Sequence, residues 1–200
     1  MIETTPQPVA VLTNETANPA PLGLCAFGMT TILLNIHNAG FYEMNSMILA
    51  MGLFYGGIAQ VIAGIIEAKK NNIFGLTAFT SYGFFWLALV GLLVMPKLGL
   101  TVPASNDAMI AFLSMWGIFT FLMFFGTLRL SRALQFVFGS LTILFFLLVA
   151  GDVTGNASIK ALAGYEGIIC GGSAIYTGIA IVMNDVYKRE VLPLGTVTAA

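Results

Sequence analysis

The residues best placed to handle a small anion lie in one stretch, Asn18-Pro19-Ala20-Pro21-Leu22-Gly23-Leu24-Cys25-Ala26-Phe27, which joins a polar amino-terminal segment to the first long apolar run. Pro19 and Pro21 lack N–H groups and have a fixed φ, so they suit the start of a helix and not its interior. The helix is therefore expected to begin near Leu22. The first N–H groups of a helix have no intrahelical partners and carry partial positive charge, which suits them to carboxylates. The same prolines would equally mark the plain start of a membrane-spanning helix.

Further along, the polar residues inside the apolar runs are neutral. The candidates for lining a path are Thr30, Thr31, Asn35, Gln60, Thr80, Ser81, Gln135 and Thr142. Phe27, Thr30, Thr31, Leu34 and Asn38 share one helical face by their spacing. Thr77, Thr80, Ser81 and Phe84 do the same, as do Gln135, Gly139, Thr142 and Phe146. Serine and threonine also bond their own backbone or a neighbouring helix, but three such faces on parallel helices favour a lined path. Tyr82 and Leu141 fall roughly 12–14 Å into their spans at 1.5 Å per residue. Phe27 reaches that level if its helix starts inside the membrane, so Phe27, Tyr82 and Leu141 are expected to form an apolar constriction between more polar vestibules. Ordinary packing would use the same three residues.

Other chemistry is poorly provided for. Glu43, Glu67, Asp152, Glu166 and Asp185 fall near expected helix ends, which leaves no buried relay of titratable groups. His37, the only histidine, reads as an interfacial hydrogen-bonding group. No set of His, Cys, Asp and Glu has metal-ligand spacing, so no metal or cofactor is expected. No nucleophile, base and orienting acid assemble, and Gly56-Gly57 lacks a phosphate-loop pattern, which argues against an enzyme.

The elements that must hold these residues follow from composition. The 200 residues are 58% hydrophobic and 8% charged, against roughly a quarter charged in soluble domains, so the chain is an all-α polytopic membrane protein. Its net charge of −1 points to no nucleic-acid partner. Apolar runs near 22–38, 44–66, 73–95, 108–127, 133–151 and 164–184 predict six transmembrane helices. Residues 1–17 read as a mobile tail, 18–195 as the membrane domain and 196–200 as a second tail. No cleavable signal peptide is evident in residues 1–20, and the sequon at Asn14 falls on the cytoplasmic side of the expected topology. Lys69, Lys70, Arg129, Arg132, Lys188 and Arg189 mark one side and Lys97 and Lys160 the other, which places both termini in the cytoplasm of a cell-membrane protein. Cys25 and Cys170 read as small buried hydrophobes. The glycines of the second and sixth helices serve close packing, either within the chain or against a second copy. Similar pentads at Gly23–Phe27 and Gly75–Phe79 suggest repeated two-helix units.

The ten-residue stretch at 18–27 resembles the signature of the acetate uptake transporter family, which includes bacterial succinate/acetate permeases and fungal acetate transporters. FGMTTILLN at 27–35, FYGGIAQ at 54–60, FGLTAFTSYG at 74–83 and LQFVFGSLT at 134–142 are similar to the bacterial permeases in particular. The resemblance covers about Ala17 to Gly195. It implies six transmembrane helices, a hexamer with one pathway per protomer, and passage of acetate and related short carboxylates, succinate among them, often with protons. It carries a pathway role onto Asn18, Pro19, Ala20, Pro21, Leu22, Gly23, Leu24, Ala26 and Phe27. Movement as the protonated acid would need no titratable relay. An uncoupled anion channel, a channel for neutral amides such as urea and a membrane-bound carboxylate sensor are the competing expectations.

Overall fold

The computed structural model describes residues 16–197. Residues 1–15, most of the expected amino-terminal tail, and residues 198–200 lie outside the described residues. The described chain is helical, with six helices long and apolar enough to cross a membrane. They are α1 (Ala20–Asn38), α2 (Ser46–Lys69), α3 (Ile73–Val94), α4 (Asn106–Thr127), α5 (Arg132–Thr154) and α6 (Ala157–Tyr187).

Local side chains set most of the helix starts. Asn45, Asn72, Ser105, Ser131 and Asn156 each accept a hydrogen bond from a backbone N–H of the first turn they precede, which satisfies one of the orphan donors there. The first helix is different: Pro19 occupies its cap position and Pro21 its first turn. It begins at Ala20, two residues before the expected Leu22, because Asn18 Oδ1 accepts from the Ala20 N–H at 3.1 Å. At its other end His37 Nδ1 lies 2.7 Å from the Tyr42 carbonyl, and the Tyr42 hydroxyl donates to the Leu33 carbonyl. Burial pushes the Tyr42 hydroxyl above its ordinary pKa.

The last helix departs most from expectation, starting at Ala157 and not near residue 164. Gly155, with φ of 63°, makes the left-handed turn. Asn156 then caps the helix through Ser158 N–H at 2.9 Å, and Lys160 pairs with Asp152 at 2.8 Å. These polar residues extend the helix beyond its apolar run, which hydropathy alone had truncated.

The helices form a ring in chain order. Backbone packing joins α4 to α5, α5 to α6, α6 to α1, α1 to α2, and α2 to α3. Aromatic rings close the remaining seam between α3 and α4: Phe85 stacks on Phe112 at 5.6 Å, and Tyr82 meets Phe119 edge-on at 5.7 Å. Glycine permits the closest approaches. A Cβ on Gly28 would lie 2.5 Å from the Gly171 carbonyl oxygen, and one on Gly171 would lie 2.6 Å from that of Gly28, so the α1 and α6 backbones touch. Within α2 a π-helical stretch, Met51–Ala59, turns the buried Gly52, Gly56 and Gly57 towards α1 and α3. Packing inside one chain therefore accounts for Gly56, Gly57, Gly167 and Gly171, whereas Gly172 faces open space.

The segment after α6 folds back along the bundle. Asn184 Oδ1 accepts from the N–H groups of Val191 and Leu192, and Val197 N–H donates to the Leu130 carbonyl at 2.9 Å. Thr196 and Val197, which the sequence assigns to a carboxy-terminal tail, thus pair with the turn before α5.

Candidate functional site

Inside the ring, on the side where α1 starts and α2 ends, lies a cavity of about 180 Å3. Sites for drug-sized ligands run to roughly 300–1,000 Å3, so this one suits a smaller solute. Ala20, Glu67, Asn72 and Leu130 stand at its rim, and Phe27, Tyr82 and Leu141 line it from helix interiors. All three of the latter are buried, and the rings of Phe27 and Tyr82 lie 6.0 Å apart. Phe74, Phe79, Val137 and Phe138 contribute apolar wall between rim and depth.

Tyr82 is fixed on every side. Its ring lies 6.1 Å from Trp116, 5.7 Å from Phe119 and 6.0 Å from Phe138. Its hydroxyl is 2.9 Å from Thr120 Oγ1, which is 2.7 Å from the Trp116 carbonyl. A carbonyl can only accept, so Thr120 spends its single hydrogen there and Tyr82 must donate to Thr120.

The signature residues divide between lining and support. Ala20, Leu24 and Phe27 line the cavity. Pro19, Gly23 and Ala26 are buried, Gly23 against the Phe79 ring, while Asn18 and Leu22 are exposed and Pro21 is half-buried. The first turn offers fewer donors than its sequence suggests. Ala20 N–H goes to Asn18, Gly23 N–H goes to the Pro19 carbonyl at 3.2 Å, and Pro21 has no N–H. Only Leu22 N–H is left in that turn, on an exposed residue.

Of the polar lining candidates, Gln60 lines this cavity, with Nε2 donating to the Gly56 carbonyl at 2.6 Å. The others are placed elsewhere. Thr30 donates to Met51 O, Thr142 to Phe138 O, and Gln135 to Thr127 O while accepting from Arg132. Thr80 packs against Gly64, Asn35 bonds the Thr31 carbonyl and packs against Gly167, and Ser81 is half-buried outside the cavity lining. Thr31 Oγ1 is buried with no hydrogen-bond partner among the described residues. The cavity wall is consequently more apolar than the vestibule expected from helical spacing. Of these threonines only Thr142 bonds the carbonyl four residues back; Thr30 bonds across to α2, and Thr80 Oγ1, like that of Thr31, is buried without a partner among the described residues.

Two carboxyl groups are more deeply placed than the sequence implies. Glu67, near the end of α2, is only 2% exposed, and its Oε2 accepts from Asn72 Nδ2 at 2.8 Å. Glu166 lies nine residues into α6, roughly 13 Å along it, and its Oε2 is buried without a partner among the described residues. Glu67 does fall near a helix end as expected, with its side chain folded inward over the α2–α3 turn; the expectation that Glu166 falls near a helix end is corrected, because the early start of α6 leaves it within the helix. Asn72 also caps α3 through Gly75 N–H at 3.1 Å. Asn72→Ala is expected to cost about 1–2 kcal/mol, read as a lower melting temperature in detergent.

Glu67, Thr120 and Trp116 were not singled out in the sequence as site residues. The pattern of Trp116 and Thr120 at i and i+4 was visible, but only the fold turns it towards Tyr82. Cys25 and Cys170 are free thiols; Cys170 is buried as expected, whereas Cys25 is half-buried. Among the described residues no group of His, Cys, Asp and Glu is arranged to hold a metal.

The GPR1/FUN34/yaaH family profile matches residues 2–194. The chain is 60% identical over 182 residues to the succinate-acetate/proton symporter SatP of Escherichia coli strain K12, covering 91% of this chain and 97% of that one. It is 33% identical over 202 residues to acetate permease A of Emericella nidulans, covering 92% of this chain and 68% of the relative. Its fold matches a solved structure of the bacterial acetate channel SatP with a TM-score of 0.88 at 60% identity, over 90% of this chain and 99% of the other. A multi-pass, all-helical chain with this likeness throughout is a transporter and not an enzyme, and it belongs to the GPR1/FUN34/yaaH family of acetate uptake transporters.

Proposed function

We propose that this protein passes acetate and related short carboxylates, succinate among them, across the cell membrane through a pathway within each protomer. The observation that carries this reading is the cavity whose buried reach is lined by Phe27, Tyr82 and Leu141 together. An unpaired carboxylate loses several kcal/mol of hydration in such surroundings, whereas the protonated acid is neutral. The acid form therefore crosses the constriction more readily, and a proton travels with each solute. The symporter named among the relatives supports this form of transport.

Proposed roles follow from placement. Ala20, Leu24 and Phe27 shape the cavity wall, while Pro19, Pro21, Gly23 and Ala26 set the position of α1 against its neighbours. Gln60 meets the solute in the cavity; Thr31 and Asn35 are assigned to the pathway beyond the constriction. The cavity mouth faces the cytoplasm, since Lys69, Lys70, Arg129, Arg132, Lys188 and Arg189 all lie on its side. A cysteine introduced in the α4–α5 turn should then react with an impermeant thiol reagent only from inside. The hexamer implied by resemblance is tested by the mass of the detergent-solubilised complex.

The test of transport is acetate uptake into liposomes holding the purified protein, with and without an inward proton gradient, while internal pH is recorded. Uptake accelerated by the gradient, with acidification beyond that of protein-free liposomes, is the expected result. A second reading, an uncoupled anion channel, is favoured by the acetate channel to which the fold is similar. It predicts electrogenic flux insensitive to the proton gradient.

A further inference from the structure

The cavity's hydrogen-bonding groups are unbalanced. Among the described residues, Glu67 is the only charged one that lines it, and no Lys, Arg or His is among the lining residues. A carboxylate accepts hydrogen bonds and donates none. Tyr82, which could serve as a donor, has its hydrogen committed to Thr120, and Thr120 cannot return one because its own is held by the Trp116 carbonyl. Tyr82, whose side chain lines the cavity, therefore has only lone pairs left for further hydrogen bonding. On the donor side, Gln60 and Asn72 each keep one amide hydrogen beyond those spent on Gly56 and Glu67. A protonated carboxylic acid has one O–H to donate and one carbonyl to accept, which fits this set. A carboxylate brings two acceptors and a negative charge towards a fixed carboxylate, with no cation among the lining residues to offset it.

We infer that Glu67, together with Tyr82 held as an acceptor by Thr120, sets the charge state of the solute this cavity admits, favouring the protonated acid over its anion. Glu67 acts by its charge. Thr120 is a positioning residue, since it directs the Tyr82 hydrogen and does not itself line the cavity. Among the described residues no other titratable side chain lines the cavity, so the preference is assigned to these groups alone. The inference rests on the transport reading above and names the residues that give it its proton dependence.

The test uses the full-length protein in liposomes and separates two fluxes of acetate. One is electrogenic, driven by a potassium diffusion potential at equal pH; the other is electroneutral, read from an internal pH dye after subtraction of protein-free liposomes. In the unaltered protein the electroneutral flux should dominate. Glu67→Gln removes the charge with little change of shape and should raise the electrogenic share on the order of tenfold. Glu67→Asp keeps the charge and should leave the share near that of the unaltered protein. Thr120→Val frees the Tyr82 hydrogen for the solute and should raise the electrogenic share severalfold. If Glu67→Gln fails to assemble, Thr120→Val decides the matter alone. A share unchanged in every neutralising or donor-freeing variant that assembles overturns the assignment, as does a purely electrogenic flux in the unaltered protein. Both results would leave acetate transport standing, whereas no acetate flux of either kind would remove the transport reading itself.

Discussion

Replacing Tyr82 with alanine should give a protein that is both less stable and less selective. The ring touches Phe27, Trp116, Phe119 and Phe138, and it is 4% exposed. Truncating a buried aromatic ring to alanine typically costs about 3–5 kcal/mol, because the neighbours collapse only partly into the space. Here that space joins the cavity, so on the transport reading proposed above the loss of packing also widens the path. Discrimination between acetate and a carboxylate several methylenes longer should fall by about tenfold or more, measured as the ratio of uptake rates in liposomes. Tyr82→Phe separates the two effects. It keeps the ring and removes only the hydroxyl, and Thr120 retains its bond to the Trp116 carbonyl. Its cost should be about 1 kcal/mol, with size selection preserved. Equal selectivity in Tyr82→Ala and the unaltered protein would mean that the ring packs the bundle without bounding the path.

Gly171→Val should be more damaging still. Its first added carbon meets backbone, the Gly28 carbonyl oxygen at 2.6 Å and Ile32 N at 3.1 Å, together with the Ile32 side chain. Backbone in a helix cannot step aside locally, so α1 and α6 must separate. Overpacking of a core costs typically about 1–3 kcal/mol where side chains can adjust, and this contact exceeds that range. Since α1 carries Phe27, the separation also moves one wall of the cavity. The expected result is little folded protein by size-exclusion chromatography in detergent, and a sharply lower melting temperature in what remains. Gly172→Ala, one residue on, meets nothing within 4 Å, and its effect on the protomer should stay within about 0.5 kcal/mol. A folded protomer whose oligomer falls apart on Gly172→Ala would place a second copy against that face. A normal melting temperature for Gly171→Val would refute the reading of α1 and α6 as backbone in contact.

These two neighbouring glycines illustrate what a one-dimensional reading can hold. Gly171 and Gly172 are equivalent in sequence, members of one pair in an apolar run, and only the rotation of α6 against α1 distinguishes them. The threonines behave similarly. Thr30, Thr80 and Thr142 occupy helical positions as promising as that of Gln60, yet each faces a neighbouring helix or its own backbone. In a soluble helix the polar face turns to water, so periodicity reveals orientation. In a membrane helix a hydroxyl can be satisfied by its own carbonyl ladder facing any direction, and the signal disappears.

What the amino-acid sequence by itself determined is what depends on local physics: six apolar spans, the proline-marked start of α1, and the family carried by the ten-residue signature. Phe27, Tyr82 and Leu141, grouped in the sequence by their expected depth, line one cavity in the structure. The tertiary structure alone decided which side chains face the cavity. It turned Glu67 inward and drew Glu166 deep into α6. It also joined Tyr82 to Thr120, 38 residues away, in a hydrogen-bond chain that leaves the tyrosine an acceptor. Each of these depends on the rotation and approach of helices distant in sequence, which is set by small-residue contacts and aromatic packing across the whole ring.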